Sequence, residues 1–183
     1  MAIRRQDIRS VEKTDTRKII RMTPAEADAM LQGTPNCSLA TLDRDGYPHL
    51  VAMSFALDAQ GNIVMTSFGK AQKVINLKRN PRVAVMVEHG LAYDKIKGVM
   101  IRGRAEIVED TNAVLDAMRL VVGKAARIAG RPVEPGSVVI TDAYRRQAEK
   151  RVVIRIHPEK WASWDHSKLS AAAAAGPMKA ARE

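Results

Sequence analysis

The sequence predicts a mainly β protein with helices, an α+β chain in which six antiparallel strands close into a small barrel. Three observations predict it. Short apolar runs with period-two alternation follow one another between residues 36 and 108 and return at 151–156. Tight turns carrying Asp45-Gly46 and Gly61-Asn62 join the first three runs, as in an antiparallel meander. The strand–helix–strand alternation of a parallel nucleotide-binding sheet is missing, and closure is a common way for antiparallel strands to remove their edges.

Thr23-Pro24-Ala25-Glu26 reads as a helix start, with Thr23 as N-cap and Pro24 in the first turn, and Gly33 ends that helix. Asn36 to Asp43 forms the first strand. His49 to Leu57 forms the second, with Val51, Met53, Phe55 and Leu57 on one face. Ile63 to Thr66 is the third. From Gly69 to Arg79 the period becomes helical, and Asn80-Pro81 stops the helix because the residue before proline avoids the α region. Arg82 to Glu88 and Gly98 to Val108 are the fourth and fifth strands. Asp110 caps a helix that runs to about Ala129, Arg131 to Gly136 is a loop, and Val138 to Lys150 is helical. Arg151 to Ile156 is the sixth strand and leads into Trp161 and Trp164.

The chain has 183 residues, the size of one domain. The expected division is a basic extension at 1–21, a folded domain at 22–169 and a low-complexity tail at 170–183. A formal charge of +10 invites nucleic acid, a membrane surface or an anionic small ligand as partner. Its distribution weakens the first choice. Residues 1–21 hold seven basic and three acidic side chains, and the stretch from His166 onward adds a net +2, so only +4 belongs to the middle. Aromatic residues are only 4%, too few for a stacking platform for single-stranded nucleic acid. Nucleic acid is therefore an unlikely partner, with arms binding through residues 1–21 as the rival reading.

The single cysteine, Cys37, excludes an internal disulfide framework and reads as a small buried hydrophobe. No apolar run reaches bilayer length and no secretory apolar segment follows Met1, so the expectation is a cytoplasmic protein without a membrane span. His49, His89, His157 and His166 have no metal-ligand spacing, and no metal is expected. Dinucleotide, P-loop, zinc-protease and serine-hydrolase motifs are missing. One constellation remains. Thr66 and Ser67 end a strand, Gly69 follows, and Lys70 and Lys73 open a helix. Hydroxyls, free helix N-terminal N–H groups and ammonium groups are what a phosphate requires.

These residues carry a resemblance. Ala40-Thr41-Leu42, Asp45-Gly46-Tyr47-Pro48-His49, Gly61-Asn62-Ile63-Val64, Thr66-Ser67 with Lys73, Asn76-Leu77, Asn80-Pro81-Arg82 and Gly103-Arg104-Ala105-Glu106-Ile107 occur in order. Arg151 to Ile156 followed by Ser163-Trp164-Asp165-His166 completes the series. It is similar to the pyridoxamine 5′-phosphate oxidase-like split β-barrel family of FMN- and F420-binding proteins, over roughly residues 22–169.

The resemblance implies a split-barrel homodimer with cofactor sites at the subunit interface. It implies that Lys73, Thr66 and Ser67, joined by Lys70, hold the cofactor phosphate, and that Val51, Met53 and Ser54 lie along the ring and offer backbone groups to it. It implies that Arg102, Arg104 and Trp164 reach the site from the other subunit. The C-terminal arginine motifs of true pyridoxamine phosphate oxidases are missing, so vitamin B6 oxidation is not expected. The better comparison is the group of reductases that use coenzyme F420 or FMN, with a slight lean to F420. Such an enzyme would pass hydride to an activated C=C bond of a conjugated small molecule, the cofactor carrying the chemistry and the protein binding and orienting it. No catalytic acid or base is assigned. The proton would come from solvent or a nearby residue, with Tyr47 and His49 as the candidates. The rival within the fold is a flavin- or heme-binding protein that stores or senses its ligand.

Overall fold

The structure is a computed structural model, and it describes residues 15–131, 138–139 and 141–174. The greater part of the expected basic extension (1–14), most of the Pro/Gly loop and the end of the alanine-rich tail lie outside the described residues. The elements in order are α1 (Thr16–Ile19), α2 (Pro24–Gly33), β1 (Asn36–Leu42), β2 (Pro48–Ser54), β3 (Ala56–Leu57), β4 (Ile63–Phe68), α3 (Gln72–Arg79), β5 (Arg82–His89), a 3-10 turn (Tyr93–Lys95), β6 (Lys97–Val108), α4 (Thr111–Ile128), α5 (Asp142–Ala148), β7 (Arg151–Asp165) and α6 (Ser167–Ala174). No helix of the described residues is long and apolar enough to cross a membrane.

The local chemistry explains most boundaries. At the start of α2 the Thr23 hydroxyl accepts from Glu26 N–H (3.2 Å) and the Glu26 carboxylate accepts from Thr23 N–H (2.6 Å), a complete capping box. Two turns repeat one device. The Asp43 carboxylate accepts from the N–H groups of Asp45 and Tyr47, and the Asp58 carboxylate accepts from those of Gln60 and Asn62. Gly46 (φ 89°) and Gly61 (φ 80°) supply the left-handed residue that each turn needs.

All strand pairs are antiparallel, in a single sheet with the order β2-β1-β5-β6-β7-β4-β3. The count of seven corrects the expected six. The second run, His49 to Leu57, is cut at Phe55: β2 pairs with β1, whereas β3 pairs with β4. β2 and β3 are therefore the opposite edges of the sheet, joined by one residue. A sheet whose edges are one residue apart must curl onto itself, and Phe55, with 0% exposure, fills the point where they meet. Alternation survives the cut, since Phe55 belongs to the barrel core and Val51, Met53 and Leu57 pack against it.

The last strand corrects a second expectation. It continues past Ile156 to Asp165, paired with β6 throughout. Pro158 and the charged residues around it hide this strand in the sequence. The structure accommodates the proline at a register shift between Arg102 and Gly103. There Gly103 lies against the His157 carbonyl, so any Cβ would overlap backbone. Gly103→Ala should therefore lose about 1–3 kcal/mol in urea unfolding; wild-type stability would show that the bulge gives way freely.

Two cores result. The barrel interior gathers Leu39, Phe55, Met65, Val74, Val85 and Ile154 among others, with α2 and α3 at its margins. A second cluster lies outside the barrel, where Val114, Leu115 and Met118 of α4 cover Ala56, Val64 and Val153. The outer face of β1, β2 and β5 has no such cover among the described residues, and Leu50 (62% exposed) and Met86 (37%) stand on it.

Candidate functional site

The sheet is open beyond the short β3. That strand pairs only with Ile63 and Val64, so Met65 to Phe68 have β7 on one side and no strand partner on the other among the described residues. The outer edge of β2 is likewise unpaired. Helix α3 starts where β4 ends and is tied back to β1. Asn76 Nδ2 donates to Thr41 Oγ1 (3.1 Å) and Arg79 Nη2 donates to the Leu42 carbonyl (2.7 Å). Asn76 (0% exposed) and Thr41 (1%) are buried, so this polar link fixes α3 where Val74 and Leu77 alone would let it slide.

The N-terminus of α3 is the most electropositive feature of the candidate site. Its N-cap is Ala71, which makes no side-chain cap. Alanine cannot cap with its side chain, so the N–H groups of Gln72 and Lys73 at the start of the helix lack a capping side chain. Lys73 sits in that turn, half-buried. Burial, and then the Arg151 guanidinium, hold its ammonium pKa below the usual lysine value. Arg151 lies over the Phe68 ring (4.3 Å to the centroid), and its Nε is buried without a hydrogen-bond partner among the described residues. Neither cation has an ion pair among the described residues. Two like charges with no ion pair among the described residues favour an anion. Arg151 was not among the candidates because, as the first residue of a predicted strand, nothing in its sequence context separates it from a surface arginine.

The register places the hydroxyls. Phe68 faces Arg151 across β4 and β7, and Thr66 stands two residues before Phe68 on the same face. Ser67 points the other way, beside Val152 in the barrel interior, with 4% exposure. The structure therefore brings Thr66, Lys73 and Arg151 to one side and turns the Ser67 side chain from it. Lys70 is exposed at the turn before α3.

The remaining candidates sit elsewhere in the protomer. Val51 and Met53 pack against the barrel core, so only their backbone faces the open edge, and the Ser54 hydroxyl donates to Asn36 Oδ1 (2.8 Å). Arg102 and Arg104 are exposed on β6, where Arg82 lies opposite Arg104 and Ala84 opposite Arg102. Val108 is the β6 residue level with Thr66 through Val153, and Arg102 lies six positions before it. At a strand rise of about 3.3 Å per residue, Arg102 is roughly 20 Å from the cradle within one chain. With Arg82, Ala40, Pro48 and Ala84, Arg102 lines a shallow groove of about 300 Å³. The Trp164 ring lies flat on Gly98 of β6, where a Cβ would collide with it. Of the two candidate proton donors, Tyr47 is 72% exposed at a turn, whereas His49 has a buried Nδ1 without a partner among the described residues.

Lys124 is a buried group that sequence reasoning missed. It is 2% exposed on α4, and its ammonium lies 3.2 Å from the centroid of the Phe55 ring with no hydrogen-bond partner among the described residues. Desolvation lowers its pKa to about 8, and burial pushes the nearby Cys37 thiol up to about 12, an inert thiol. A lysine depressed in the folded state loses its proton there before it does in the unfolded chain, so stability rises with pH between about 8 and the model-peptide value of 10.5. Lys124→Met should gain on the order of 1 kcal/mol at pH 7 in urea unfolding, with the gain shrinking by pH 10. A loss at pH 7 would mean that the contact with Phe55 outweighs the desolvation.

Among the described residues no group of His, Cys, Asp and Glu could hold a metal ion. The comparisons agree with a curled antiparallel sheet with helices. The pyridoxamine 5′-phosphate oxidase family profile matches residues 23–165. The conserved hypothetical protein Rv2991 of Mycobacterium tuberculosis is 33% identical, with a TM-score of 0.72 over 93% of this chain and 98% of that one. An F420 reductase is 26% identical, with a TM-score of 0.54 over 76% of this chain and 98% of its own. HutZ, a heme storage protein of Vibrio cholerae, is 18% identical, with a TM-score of 0.57 over 79% and 97%, a likeness of fold. No curated protein matches. The curled antiparallel sheet and a match over most of its length place this chain in the pyridoxamine 5′-phosphate oxidase-like family.

Proposed function

We propose that this chain is an oxidoreductase that holds a phosphorylated flavin-type cofactor, F420 in preference to FMN, and serves hydride transfer to an activated C=C bond of a flat conjugated molecule. The observation that carries the reading is the uncapped start of α3 with Lys73 and Arg151 beside it and no ion pair to either among the described residues. A phosphate there would accept N–H bonds from the helix and ion pairs from both side chains. When bound, such a cofactor supplies the hydride. The protein would hold the phosphate with Lys73, Arg151 and Thr66 and present edge backbone groups of Val51 to Ser54 to the ring. The buried His49 Nδ1 would hold or pass a proton.

A homodimer follows from the same reading. The uncovered outer face with Leu50 and Met86 offers a seat for a second copy. Arg102, too far from the cradle in its own chain, would then serve the partner's site together with Arg104, and with Arg82 they form a row suited to the longer anionic tail of F420. The likeness to an F420 reductase supports this preference.

The test is a titration of the apoprotein with FMN and with F420 followed by fluorescence, then turnover of the reduced complex on a panel of enones. Saturable F420 binding with turnover is the expected result. Binding with no turnover would replace the reductase by a ligand-holding protein, and binding of neither cofactor would remove the proposal.

A further inference from the structure

Strand β7 is paired on both sides only as far as Ile156, and beyond it β6 occupies one side alone. The free side is partly met by residues 20–22. Asp165 N–H donates to the Ile20 carbonyl (2.7 Å), Met22 N–H donates to Ser163 Oγ (3.1 Å), and Lys168 Nζ donates to the Arg21 carbonyl (3.0 Å). Between this pinned segment and β7 a groove of about 450 Å³ remains, lined by Arg17, Ile20, Arg21, Trp161, Ser163 and Trp164. That volume lies in the range of small-molecule sites.

Its chemistry is specific. Both tryptophans of the chain line it. Trp164 is seated against Gly98 of β6, and Trp161, on the other face of β7, is 46% exposed. Arg17 and Arg21 are exposed and make no ion pair among the described residues. The nearby acids are engaged: Asp15 caps α1 through Arg17 N–H, Asp165 accepts from Ser167, and Glu26 pairs with Lys168. Planar guanidinium forks match a carboxylate, and indole faces match a flat aromatic body.

We infer that the groove between residues 17–21 and the free side of β7 binds a planar aromatic carboxylate, its ring against the exposed Trp161 and its carboxylate between Arg17 and Arg21. The site is separate from the α3 cradle, and its test needs no cofactor, so it stands or falls apart from the reductase reading.

The experiment titrates the full chain, without cofactor, with 2-naphthoate and with the uncharged 2-naphthalenemethanol. Tryptophan emission is the readout, since every indole of the chain lines the groove, and calorimetry repeats the measurement. Saturable binding of the carboxylate, at least about tenfold tighter than the alcohol, is expected. The double variant Arg17→Ala/Arg21→Ala, checked for folding by circular dichroism, should erase that preference, and Trp161→Ala should weaken both ligands. No saturable binding, equal affinity for the two ligands, or an unchanged preference in the folded double variant would each overturn the inference.

Discussion

Lys73→Ala should raise the dissociation constant for the phosphorylated cofactor by roughly 10- to 150-fold, the equivalent of about 1.5–3 kcal/mol for a hydrogen bond to a charged group. Lys73 is half-buried beside Arg151, and burial first and that guanidinium second push its proton affinity down. An anion at the start of α3 would reverse the second effect, so binding should raise the Lys73 pKa and take up protons where that group titrates. The loss should shrink with salt, because part of it is long-range attraction. Arg151→Ala should weaken binding in the same direction. Ser67→Ala should leave affinity unchanged, since its hydroxyl lies in the barrel interior. Equal affinity of wild type and Lys73→Ala would move the phosphate to another part of the molecule.

Phe55→Ala should remove about 3–5 kcal/mol in urea unfolding, the range for deleting a buried aromatic side chain. The residue has 0% exposure and stands alone between β2 and β3, at the place where the sheet changes pairing partner. The cavity would open where the two edges meet, and the Lys124 ammonium would lose the ring beneath it. For a domain whose whole stability is of order 5–15 kcal/mol, that change alone approaches unfolding at physiological temperature. Phe55→Leu keeps much of the apolar volume and should cost far less. An alanine variant within about 1 kcal/mol of wild type would show that the neighbouring strands collapse into the space.

Much of the element order was legible because local chemistry writes it. Thr23, Asp110 and the two Asp-x-x-Gly turns act within a few residues of themselves, so their sequence pattern and their structure coincide. The seventh strand was not legible. His49 to Leu57 alternates without a break, and only the pairing of β2 with β1 and of β3 with β4 divides it. The extension of β7 was hidden for the opposite reason, since Pro158 and its charged neighbours read as a loop until Gly103 provides the bulge that tolerates them.

In the candidate site, Lys73 could be found because it follows a strand end and opens a helix, both local signals. Arg151 and Lys124 could not, because each owes its character to residues far away in sequence: Phe68 and Lys73 for one, Phe55 and Cys37 for the other. Local patterns in the chain are enough to set the antiparallel meander, the helix caps and the basic start of α3. Tertiary structure alone decided that Ser67 turns into the barrel interior, that Arg102 stands roughly 20 Å along the sheet from the level of Thr66, and that an ammonium is buried over Phe55. Caps and turns are closed by hydrogen bonds a few residues long, whereas charge and burial depend on which strands become neighbours, and that is settled only when the whole sheet curls.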